Sequence, residues 1–511
     1  MLQTSKTFFT DVVVCGGGPA GAAAAIAAAR EGKGVILLEM RESLGGLCTN
    51  GYITGIAGNV DGLSLEWLER LDKEGHAVMR PHLPVVEPEF GKAMLEQMVL
   101  QSEARILYGA HVADVNVSDG KIQSVIVYCK QGKVEVKGKV YIDCTGDADV
   151  AFAAGCPYDV GNAEFMGLNQ SVTMGFRLSY VNLKKYNKAV ADFKKSDIYD
   201  VTDVVRGSFI VYKQDQAIKN GDLHEILSPG NLVYPMPGDP ECTDVTLDAT
   251  HTFDCHTDDL ADLSRQIVDQ HRKVVWFTNF LKKYVPGFEN AVLTSFAPMN
   301  GVRDSRRVVG EYVLSEYDLA AAKKFEDGIW QHSEFFDAHV PTPGHHTASR
   351  HIHAWQPIEP GVCRPTQDAE DYVMNPYVVP RPYEIRTNPR EYCEIPFRSL
   401  IVKGVDNLMV AGRCFSSTYH ANGSFRVIAP SMGMGQAAGI GASMVIDKNL
   451  DAVRELDGKL VRERMIELGV KLNELPGGYW KTIREFEGKF VVAGTDWIQI
   501  INDKGENPTQ M

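Results

Sequence analysis

The first forty residues alternate between apolar runs and glycines in the order of a strand, a helix and a second strand. Asp11–Cys15 (DVVVC) is a short apolar run rich in β-branched residues, which predicts a buried strand. The Ala-rich run Ala22–Arg30 has high helix propensity, and Gly32 and Gly34 end it. Val35–Glu39 (VILLE) predicts a second buried strand that finishes in an acidic residue. The pattern indicates a βαβ unit at the N-terminus.

Further along the chain, the pattern predicts a helix over 93–102 and strands over 105–142. We interpret these strands as a β-meander inserted into the first unit. A long amphipathic helix is predicted over 258–284, with an apolar stripe made of Leu260, Leu263, Ile267, His271, Val274, Val275, Phe277 and Leu281.

Three later segments indicate that the chain returns to the first unit. Residues 140–155 (VYIDCTGDADVAFAAG) form an apolar run that leads into a glycine turn. Residues 407–414 (NLMVAGRC) again predict a strand that runs into glycine, and 431–446 predict a helix of small residues. A charged helix is predicted over 451–474.

The first strand and the Ala-rich helix are joined by Gly16, Gly18 and Gly21 in the spacing GxGxxG. Glycine at the first position allows a tight turn, at the second it lets the backbone approach a pyrophosphate, and at the third it lets the helix pack on the sheet. The helix N-terminus presents N–H groups and a positive dipole to phosphates. Glu39, 18 residues after Gly21, is placed to bind a ribose diol. The segment predicts a dinucleotide site, and a glycine-rich turn in an unrelated α/β unit is the alternative.

The dinucleotide is FAD or NAD on this fingerprint alone, and two observations favour FAD. Gly45 and Gly46 follow the second strand, where many FAD proteins bring the backbone close to the phosphates and the flavin. The chain also returns late to the same unit. Only one GxGxxG fingerprint is present, which indicates that electrons enter or leave without a second nicotinamide domain. A loosely bound nicotinamide stays open.

The chain resembles the broad family of FAD-dependent oxidoreductases related to the fumarate reductase and glutathione reductase flavoproteins. Within that family it is most similar to a subgroup whose substrates are mostly unassigned. The resemblance extends from the N-terminus to about residue 470, in the motifs CGGGPAG, LLEMRESLGG, IDCTGDADVA, GVRDSRRVVGEYVL and AGRCFSSTYHANGSFRVIAPSMGMGQAAG. It implies FAD binding and leaves the substrate open.

The resemblance also implies where the cofactor binds. It places Asp147 beside the cofactor in the TGD turn, for which an ordinary Asx turn is the alternative. It directs the helix that begins near Met432 and Gly433 at the N1–C2=O edge of the flavin, for which close helix packing is a compatible alternative. The residues predicted to bind FAD are Gly16, Gly18, Pro19, Ala20, Gly21, Glu39, Met40, Arg41, Gly45, Gly46, Leu47, Cys48, Val112, Thr145, Gly146, Asp147, Gly412, Arg413, Ser431, Met432 and Gly433.

Cysteines and histidines give little sign of metal or thiol chemistry. None of the ten cysteines forms a CxxC pair, which argues against a redox dithiol or a zinc ribbon and favours free thiols in a reducing cytoplasm. Cys48 is either a buried small residue or the site of a covalent flavin link. The histidine-rich stretches 251–259 and 345–353 match no familiar metal spacing, so we predict no metal and interpret them as a polar lid or active-site loop.

Catalysis at a flavin needs groups that hold the substrate and exchange a proton. Arg303 lies with Arg306, Arg307 and Asp304 in one segment, and arginine suits bidentate binding of carboxylates. We predict that Arg303 binds an anionic substrate or the cofactor. A structural Arg–Asp network between domains is the alternative.

A second group of candidates follows a predicted flavin-domain strand. Tyr419 and His420 are candidate proton carriers, and Asn422 and Arg426 are candidates to bind a carbonyl or carboxylate. Relatives within the resembling family carry histidine at the position of Tyr419 and glutamine at that of Asn422. Here the histidine comes one residue later, and on an extended segment that shift would turn it to the opposite face. A structural histidine is the alternative.

Bulk composition limits the class of protein and its partners. The chain has 511 residues, 44% of them hydrophobic and 23% charged, as in a soluble globular protein of two domains. Its formal charge of −14 disfavours nucleic-acid binding. No apolar run reaches the ~20 residues of a membrane span, and no charged-then-apolar leader is present. We expect a cytoplasmic protein with a small-molecule substrate, and the oligomeric state is open.

Together these patterns predict an α/β protein. A Rossmann-type FAD-binding domain, with a parallel sheet and a β-meander, would occupy 1–155 and 396–450. An inserted α+β substrate domain would occupy 156–395, and a C-terminal helix and tail 451–511. The predicted function is hydride transfer between a small organic substrate and flavin N5. The alternatives are an FAD-binding protein with a structural or assembly role and a flavoprotein acting on RNA.

Overall fold

The computed structural model describes residues 4–79, 83–194, 196, 209–228, 233–239, 243–320, 323–332, 339, 341, 356–359, 362–364, 392–472, 490–492 and 499–501. The helices are α1 (Pro19–Arg30), α2 (Gly46–Thr49), α3 (Gly62–Lys73), α4 (Pro88–Gln101), α5 (Asp149–Ala153), α6 (Leu183–Lys194), α7 (Phe209–Lys219), α8 (Leu260–Tyr284), α9 (Glu316–Ala320), α10 (Tyr419–Phe425), α11 (Ile428–Asp447) and α12 (Gly458–Glu467). The strands are β1 (Thr4–Phe9), β2 (Val12–Cys15), β3 (Val35–Glu39), β4 (Ala77–Val78), β5 (Val85–Val86), β6 (Arg105–Tyr108), β7 (His111–Ser118), β8 (Lys121–Cys129), β9 (Gly132–Lys137), β10 (Val140–Asp143), β11 (Tyr158–Val160), β12 (Val172–Ser179), β13 (Val233–Pro235), β14 (Val245–Thr252), β15 (Val292–Phe296), β16 (Arg306–Val308), β17 (Gly328–His332), β18 (Gln356–Glu359), β19 (Val362–Arg364), β20 (Cys393–Pro396), β21 (Leu408–Val410), β22 (Phe490–Val492) and β23 (Gln499–Ile501).

The N-terminal βαβ unit and the late return of the chain build one parallel sheet in the order β21–β10–β2–β3–β6. Cys15 at the end of β2 lies opposite Leu38 of β3 and Asp143 of β10. Every residue of β2 and β3 is buried, as inner parallel strands require. The predicted Rossmann-type α/β unit is confirmed. The carboxyl ends of β2, β10 and β21 meet at one edge, where such sheets bind ligands.

The β-meander is smaller than the stretch 105–142 that we predicted for it. β6 and β10, at the two ends of that stretch, pair in the parallel sheet instead. β10 is buried throughout, which suits an inner parallel strand, whereas β7 is mostly exposed, as expected at the edge of an antiparallel sheet. The meander itself is β7–β8–β9, and β1, which the sequence pattern did not reveal, extends it by pairing in parallel with β9.

Two helices of small residues, α1 and α11, pack together at close range. A Cβ atom on Gly435 would lie 2.0 Å from the carbonyl oxygen of Ala20, and one on Gly439 would lie 2.4 Å from that of Ala24. Larger residues would force the helices apart, because protein interiors have no slack to absorb such overlaps. The packing holds the start of α1 against α11 and against Gly412, where a Cβ atom would lie 3.0 Å from the Ala20 Cβ.

A second sheet, in the antiparallel order β13–β14–β12–β15, forms the core of the inserted region. α8 belongs to the apolar cluster of this sheet through Val274, Phe277 and Leu281. β12 also approaches the first unit closely, because a Cβ atom on Gly175 would lie 2.4 Å from the carbonyl oxygen of Gly51. The second sheet therefore lies directly beside the loop that follows α2.

The apolar stripe predicted for α8 is partly wrong. Leu260 is 81% exposed and Val275 is 44% exposed. Leu260 is the first residue of the helix, and Val275 is turned about 100° away from the buried Val274. The buried face instead includes polar residues such as Gln270, which is fully buried.

Residues from the second half of the chain also pack on the first unit. The core cluster of that unit includes Val308, Ile329 and Trp330, so this part of the predicted 156–395 domain contributes to the core of the first unit. The division at 155 and 395 stays a prediction. The charged helix predicted over 451–474 is shorter, because Asp457 caps α12 and Gly469, with a φ of +91°, follows its end.

Candidate active site

The glycine turn after β2 has a geometry that side chains would block at two positions. Gly16 has a φ of +94°, and a Cβ atom there would lie 2.4 Å from the carbonyl oxygen of Cys144. A Cβ atom on Gly21 would lie 1.7 Å from the carbonyl oxygen of Gly16. Gly18 differs, since its nearest neighbour would be the Cα atom of Gly46 at 4.0 Å. The protein leaves space beside Gly18, whereas its own packing requires glycine at the other two positions.

The start of α1 presents donors to this space. Pro19 is the first residue of the helix and has no N–H group. The first hydrogen bond within the helix runs from the N–H of Ala22 to the carbonyl of Gly18, at 2.9 Å. The N–H groups of Ala20 and Gly21 therefore have no partner within the helix and point beyond its N-terminus, where an anion is stabilised.

The carboxylate of Glu39 is buried at the end of β3, with the residue 7% exposed. Its Oε2 accepts a hydrogen bond from the N–H of Gly17 at 2.6 Å, and its Oε1 accepts one from the N–H of Arg41 at 2.7 Å. Burial raises the pKa of Glu39, although these two hydrogen bonds act against the shift. Glu39 thus fixes the glycine turn to the segment after β3, and each oxygen keeps a lone pair for a ribose hydroxyl.

Gly45 and Gly46, which follow β3, approach the glycine turn after β2. The N–H of Gly45 donates to the carbonyl of Gly17 at 2.8 Å. Gly46 has a φ of +48°, and a Cβ atom there would lie 3.0 Å from the Cα atom of Gly18. Both glycine segments therefore border the same space, as the interpretation in favour of FAD requires.

Cys48 lies in α2, directly after these glycines. The residue is fully buried, and burial raises the pKa of its thiol. Because the thiolate is the reactive form of cysteine, this environment favours a small buried residue over a covalent flavin link.

The TGD turn after β10 is fixed from beneath by Asp143. That buried carboxylate accepts hydrogen bonds from the N–H and the hydroxyl of Thr145, at 3.0 and 2.8 Å. The Asx-type bond of this turn is therefore made by Asp143 and not by Asp147. Gly146 has a φ of +86°, and a Cβ atom there would lie 2.8 Å from a guanidinium nitrogen of Arg413. Arg413 donates to Asp147 at 2.7 Å, so the two return segments meet at this turn.

Helix α11 begins four residues before its predicted start near Met432. Pro430 fits the first turn of a helix, where an N–H group needs no partner, and so does not delay the start. Ser431, Met432 and Gly433 consequently lie inside the helix and not at its N-terminus, and all three are buried. A Cβ atom on Gly433 would lie 2.2 Å from the ring of Trp330, so this glycine is required for close packing.

The space beside Gly18, which the two glycine segments and the N-terminus of α1 border, is the candidate cofactor groove, and the predicted cofactor residues differ in their exposure. The residues that keep part of their surface exposed are Gly16, Gly18, Pro19, Met40, Arg41, Gly46, Leu47, Val112, Thr145, Gly146, Asp147 and Arg413. The residues buried behind them are Ala20, Gly21, Glu39, Gly45, Cys48, Gly412, Ser431, Met432 and Gly433. A groove bordered by two glycine segments and the N-terminus of α1 fits a dinucleotide.

Arg307 and Arg426 act on the buried carboxylate of Asp304, and Arg303 precedes that aspartate in the chain. We call Arg303, Arg307 and Arg426 the arginine cluster. Asp304 is fully buried and accepts hydrogen bonds from Arg307 at 3.1 Å and from the N–H of Gln170 at 2.5 Å. Burial raises the pKa of Asp304, and the charges of Arg307 and Arg426 act against that shift. The sequence segment 303–307 thus does form an Arg–Asp network, as the alternative interpretation anticipated.

Arg303 is 8% exposed and is held by neutral acceptors. It donates to the carbonyl of Ser171 at 2.9 Å and to the hydroxyl of Thr173 at 3.2 Å. Its Nη2 lies 3.3 Å from Nε2 of His251 and 3.9 Å from a carboxylate oxygen of Asp248. A guanidinium has only donors, so Nε2 of His251 is the acceptor in this contact.

Tyr419 and His420 lie in the first turn of α10, which Thr418 caps. The expectation of an extended segment is wrong, and the two side chains lie about 100° apart around a helix. The hydroxyl of Tyr419 donates to the carbonyl of His339 at 3.0 Å. His420 turns instead towards Glu316, with Nδ1 3.8 Å from Oε1.

Glu316 is a residue that sequence reasoning missed. It lies in the short helix α9, far from His420 in sequence, and a lone glutamate gives no signal. Burial raises its pKa, but hydrogen bonds with His420 and Thr418 outweigh that effect and hold the pKa below its usual value. The hydroxyl of Thr418 donates to Glu316 at 2.5 Å. A carboxylate thus orients the imidazole that we predicted as a proton carrier.

Helix α10 connects the cofactor turn to the arginine cluster. The side-chain N–H group of Asn422 donates to the carbonyl of Arg413 at 2.8 Å. Arg426, directly after the helix, donates to the side chain of Gln170 at 3.3 Å. Asn422 and Arg426 therefore lie between the two sites, but not on the same face as His420.

The described residues contain no group of three or more potential metal ligands and no helix long and apolar enough to cross a membrane. His251 and Cys255 of the first histidine-rich stretch are buried. The second stretch, 345–353, and most of the tail after 472 lie outside the described residues.

The chain belongs to the family described as FAD dependent oxidoreductase, which it matches over residues 11–465. It is therefore an FAD-dependent oxidoreductase, and FAD is its cofactor. No curated protein matches the chain.

Several solved structures are similar over most of their length. A geranylgeranyl bacteriochlorophyll reductase-like protein of Thermoplasma acidophilum is 12% identical, over 91% of this chain and 84% of that chain, with a TM-score of 0.40. The p-nitrophenol 4-monooxygenase PnpA of Pseudomonas putida DLL-E4 is 12% identical, over 94% and 89%, with a TM-score of 0.39. The flavin-dependent brominase Bmp2 is 12% identical, over 90% and 83%, with a TM-score of 0.41. Likeness at this level does not extend to the substrate.

Proposed function

We propose that the protein oxidises or reduces a small organic anion by hydride transfer between the substrate and N5 of FAD. The observation that carries this proposal is the arginine cluster, because two of its members, Arg303 and Arg307, flank Ser305, which contacts the cofactor turn at Asp147. A closer relationship to the fumarate reductase and glutathione reductase flavoproteins is part of the proposal and rests on the motifs quoted above.

FAD supplies the two-electron chemistry, and the protein must hold the substrate and manage its proton. Arg303 and Arg426 would bind the substrate carboxylate through charge-assisted hydrogen bonds. Asp304 keeps Arg307 and the backbone of Gln170 in place beneath them.

The proton carrier must be a group whose proton is not committed to another partner. The hydroxyl of Tyr419 already donates to the carbonyl of His339. His420 is oriented by Glu316, which is the arrangement of a general base. We therefore favour His420 over Tyr419 as the residue that exchanges the substrate proton.

Anaerobic bleaching of the bound flavin tests this function directly. The panel should contain small carboxylates, the matched neutral amides and polyhydroxy compounds. We expect one or more carboxylates to bleach the visible band of the flavin while their amides do not. Bleaching by neutral compounds alone would contradict the anionic substrate, and a spectrum unchanged by any donor or acceptor would indicate a structural flavin.

Replacing Arg426 with alanine separates substrate binding from cofactor binding. Truncating one partner of a buried charge pair costs about 2–5 kcal/mol, so we expect kcat/KM to fall at least about 30-fold. FAD content should stay unchanged, and Arg426→Lys should lose less. Arg70→Ala, which removes a partly exposed arginine paired with Glu66, is the matched control. Equal losses of turnover and FAD content would make Arg426 a structural residue.

A further inference from the structure

The loop 302–307, which we call the bridging loop, presents its residues to two sites. Arg303, Asp304 and Arg307 belong to the polar network of the arginine cluster. Ser305 and Arg306 contact the TGD turn instead. A single short loop therefore contributes side chains to both the substrate side and the cofactor side of the site.

On the cofactor side, the contacts of the bridging loop converge on Asp147. The hydroxyl of Ser305 donates to its Oδ1 at 2.5 Å, and Arg306 donates to its carbonyl at 3.0 Å. Arg413 donates both to Oδ1 of Asp147, at 2.7 Å, and to the carbonyl of Val302. Asp147 is thus the point at which the cofactor turn holds the bridging loop.

The loop is fixed firmly enough to transmit a displacement of Asp147. Arg306 pairs with Asp149 at 3.1 Å, and its guanidinium lies 4.2 Å from the ring centroid of Phe152. On the opposite side, Asp304 is completely buried and hydrogen-bonded. A shift of Ser305 would therefore move the adjacent buried aspartate and its arginine partners, because packed interiors do not absorb such shifts locally.

The remaining part of the Asp147 side chain is exposed to solvent. Its side chain is 42% exposed, compared with 10% for Arg413. Among the described residues, both side-chain hydrogen bonds of Asp147 end on Oδ1. Oδ2 is therefore available to a hydroxyl group of the bound cofactor.

We propose that the bridging loop couples the two sites, so that FAD binding at the TGD turn prepares the arginine cluster for a carboxylate anion. The anion then binds more tightly to the FAD-loaded protein than to the apoprotein. Linkage is reciprocal, so the anion raises the affinity for FAD by the same factor. The choice of a carboxylate rests on the proposed function, whereas Ser305 and Asp147 are positioning residues of this coupling.

The coupling is measured as the FAD dissociation constant of the apoprotein, with oxalate or with sodium chloride at equal ionic strength. In the unmodified protein we expect oxalate to tighten FAD binding on the order of ten-fold. Ser305→Ala should reduce this effect to about two-fold or less while FAD affinity without oxalate changes little. Ser305→Thr keeps the hydroxyl and should keep the coupling. Ser124→Ala, which removes a hydroxyl-to-carboxylate bond to Glu135 in the meander, is the matched control.

The possible results distinguish this proposal from the proposed function. If oxalate leaves FAD affinity unchanged in the unmodified protein, or tightens it equally in Ser305→Ala, the bridging loop does not couple the sites. A carboxylate that bleaches the flavin in the same preparation would then leave the proposed function standing. Coupling that is lost in Ser305→Ala supports the proposal even when no carboxylate bleaches the flavin, in which case only the proposed reaction fails.

Discussion

The glycine segments of the cofactor groove and the arginine cluster are built in opposite ways. The glycine turn is made by consecutive residues whose backbone approaches other backbone atoms, as with Gly21 and the carbonyl of Gly16. The arginine cluster brings together side chains from distant segments, as Arg303 and Arg426 show, and its partner Gln170 comes from a third segment. One site is defined by the absence of side chains and the other by their charges.

This difference determines how each site responds to substitution. In the glycine turn an added side chain overlaps protein backbone at Gly16 and Gly21 and fills the space left beside Gly18, so the effect is steric and nearly all-or-none. In the arginine cluster a lost group leaves charges and hydrogen-bond donors without partners, so the effect is graded and depends on what replaces it.

The strongest way to sharpen the comparison is to compare valine at Gly18 and at Gly21. Gly18→Val adds a side chain into the space that the protein leaves for the pyrophosphate, whereas Gly21→Val overlaps the carbonyl of Gly16. We expect Gly18→Val to lower FAD affinity at least about 100-fold with little change in the Tm of the apoprotein. Gly21→Val should lose both FAD binding and stability. FAD content by absorbance and the apoprotein Tm by calorimetry measure the two effects.

Two results would contradict this prediction. A Gly18→Val protein that purifies with full yellow occupancy would show that the pyrophosphate lies elsewhere. If both variants unfolded alike, the space beside Gly18 would be part of the protein core and the comparison between the two sites would lose its basis.

The cofactor side could be predicted from sequence because its information is local. The order strand, GxGxxG, helix, strand and acidic residue fixes a backbone shape within about thirty residues, and the structure follows it from Val12 to Glu39. The late return of the chain was also predictable, because Leu408–Val410 is an apolar run that pairs with β10. The start of α11 was misplaced, because Pro430 was compatible with the first turn of a helix.

The substrate side could be predicted only as a set of residue types. Arginines near an aspartate indicated a charged network, but the partner Gln170 comes from a segment with no motif. His251 belongs to a histidine-rich stretch that the sequence singled out, but its contact with Arg303 depends on the fold. Glu316 was invisible for the same reason, because its role depends on α9 lying against α10. Tyr419 and His420 were assigned to an extended segment, since Thr418 as a helix cap was not recognised.

Lowering the pH provides a second test, because it acts on a buried histidine that packs against α10. His332 is fully buried beside Phe425 of α10, with ring centroids 4.8 Å apart, and burial lowers its pKa to about 3. The unfolded chain has the ordinary histidine value of 6.5, so folding favours the neutral form. Stability is therefore complete above about pH 6.5 and falls as the pH drops, by about 2 kcal/mol at about pH 5.

Urea unfolding at about pH 7.5 and about pH 5 measures this effect, with His332→Phe as the variant that cannot titrate. We expect the variant to lose less stability on acidification than the unmodified protein. His111→Phe, which changes an exposed histidine of the meander, is the control. Identical pH dependence in all three proteins would mean that folding does not lower the pKa of His332.

The smallest expected effect concerns Asp149, which pairs with Arg306 of the bridging loop. Burial, followed by the charges of Asp147 and Asp143, raises its pKa to about 6, and Arg306 opposes the shift. Folding therefore favours the protonated carboxyl, and this contribution to stability is lost as the pH rises from about 4 to about 6. Asp149→Asn should remove that loss, but 42% side-chain exposure makes the effect small, about 1 °C in Tm at neutral pH. A lower Tm for the variant would instead show that the ion pair with Arg306 stabilises the protein by more than the burial of Asp149 destabilises it. Ion pairs would then hold the bridging loop both at Arg306, beside the cofactor turn, and at Arg307, in the arginine cluster.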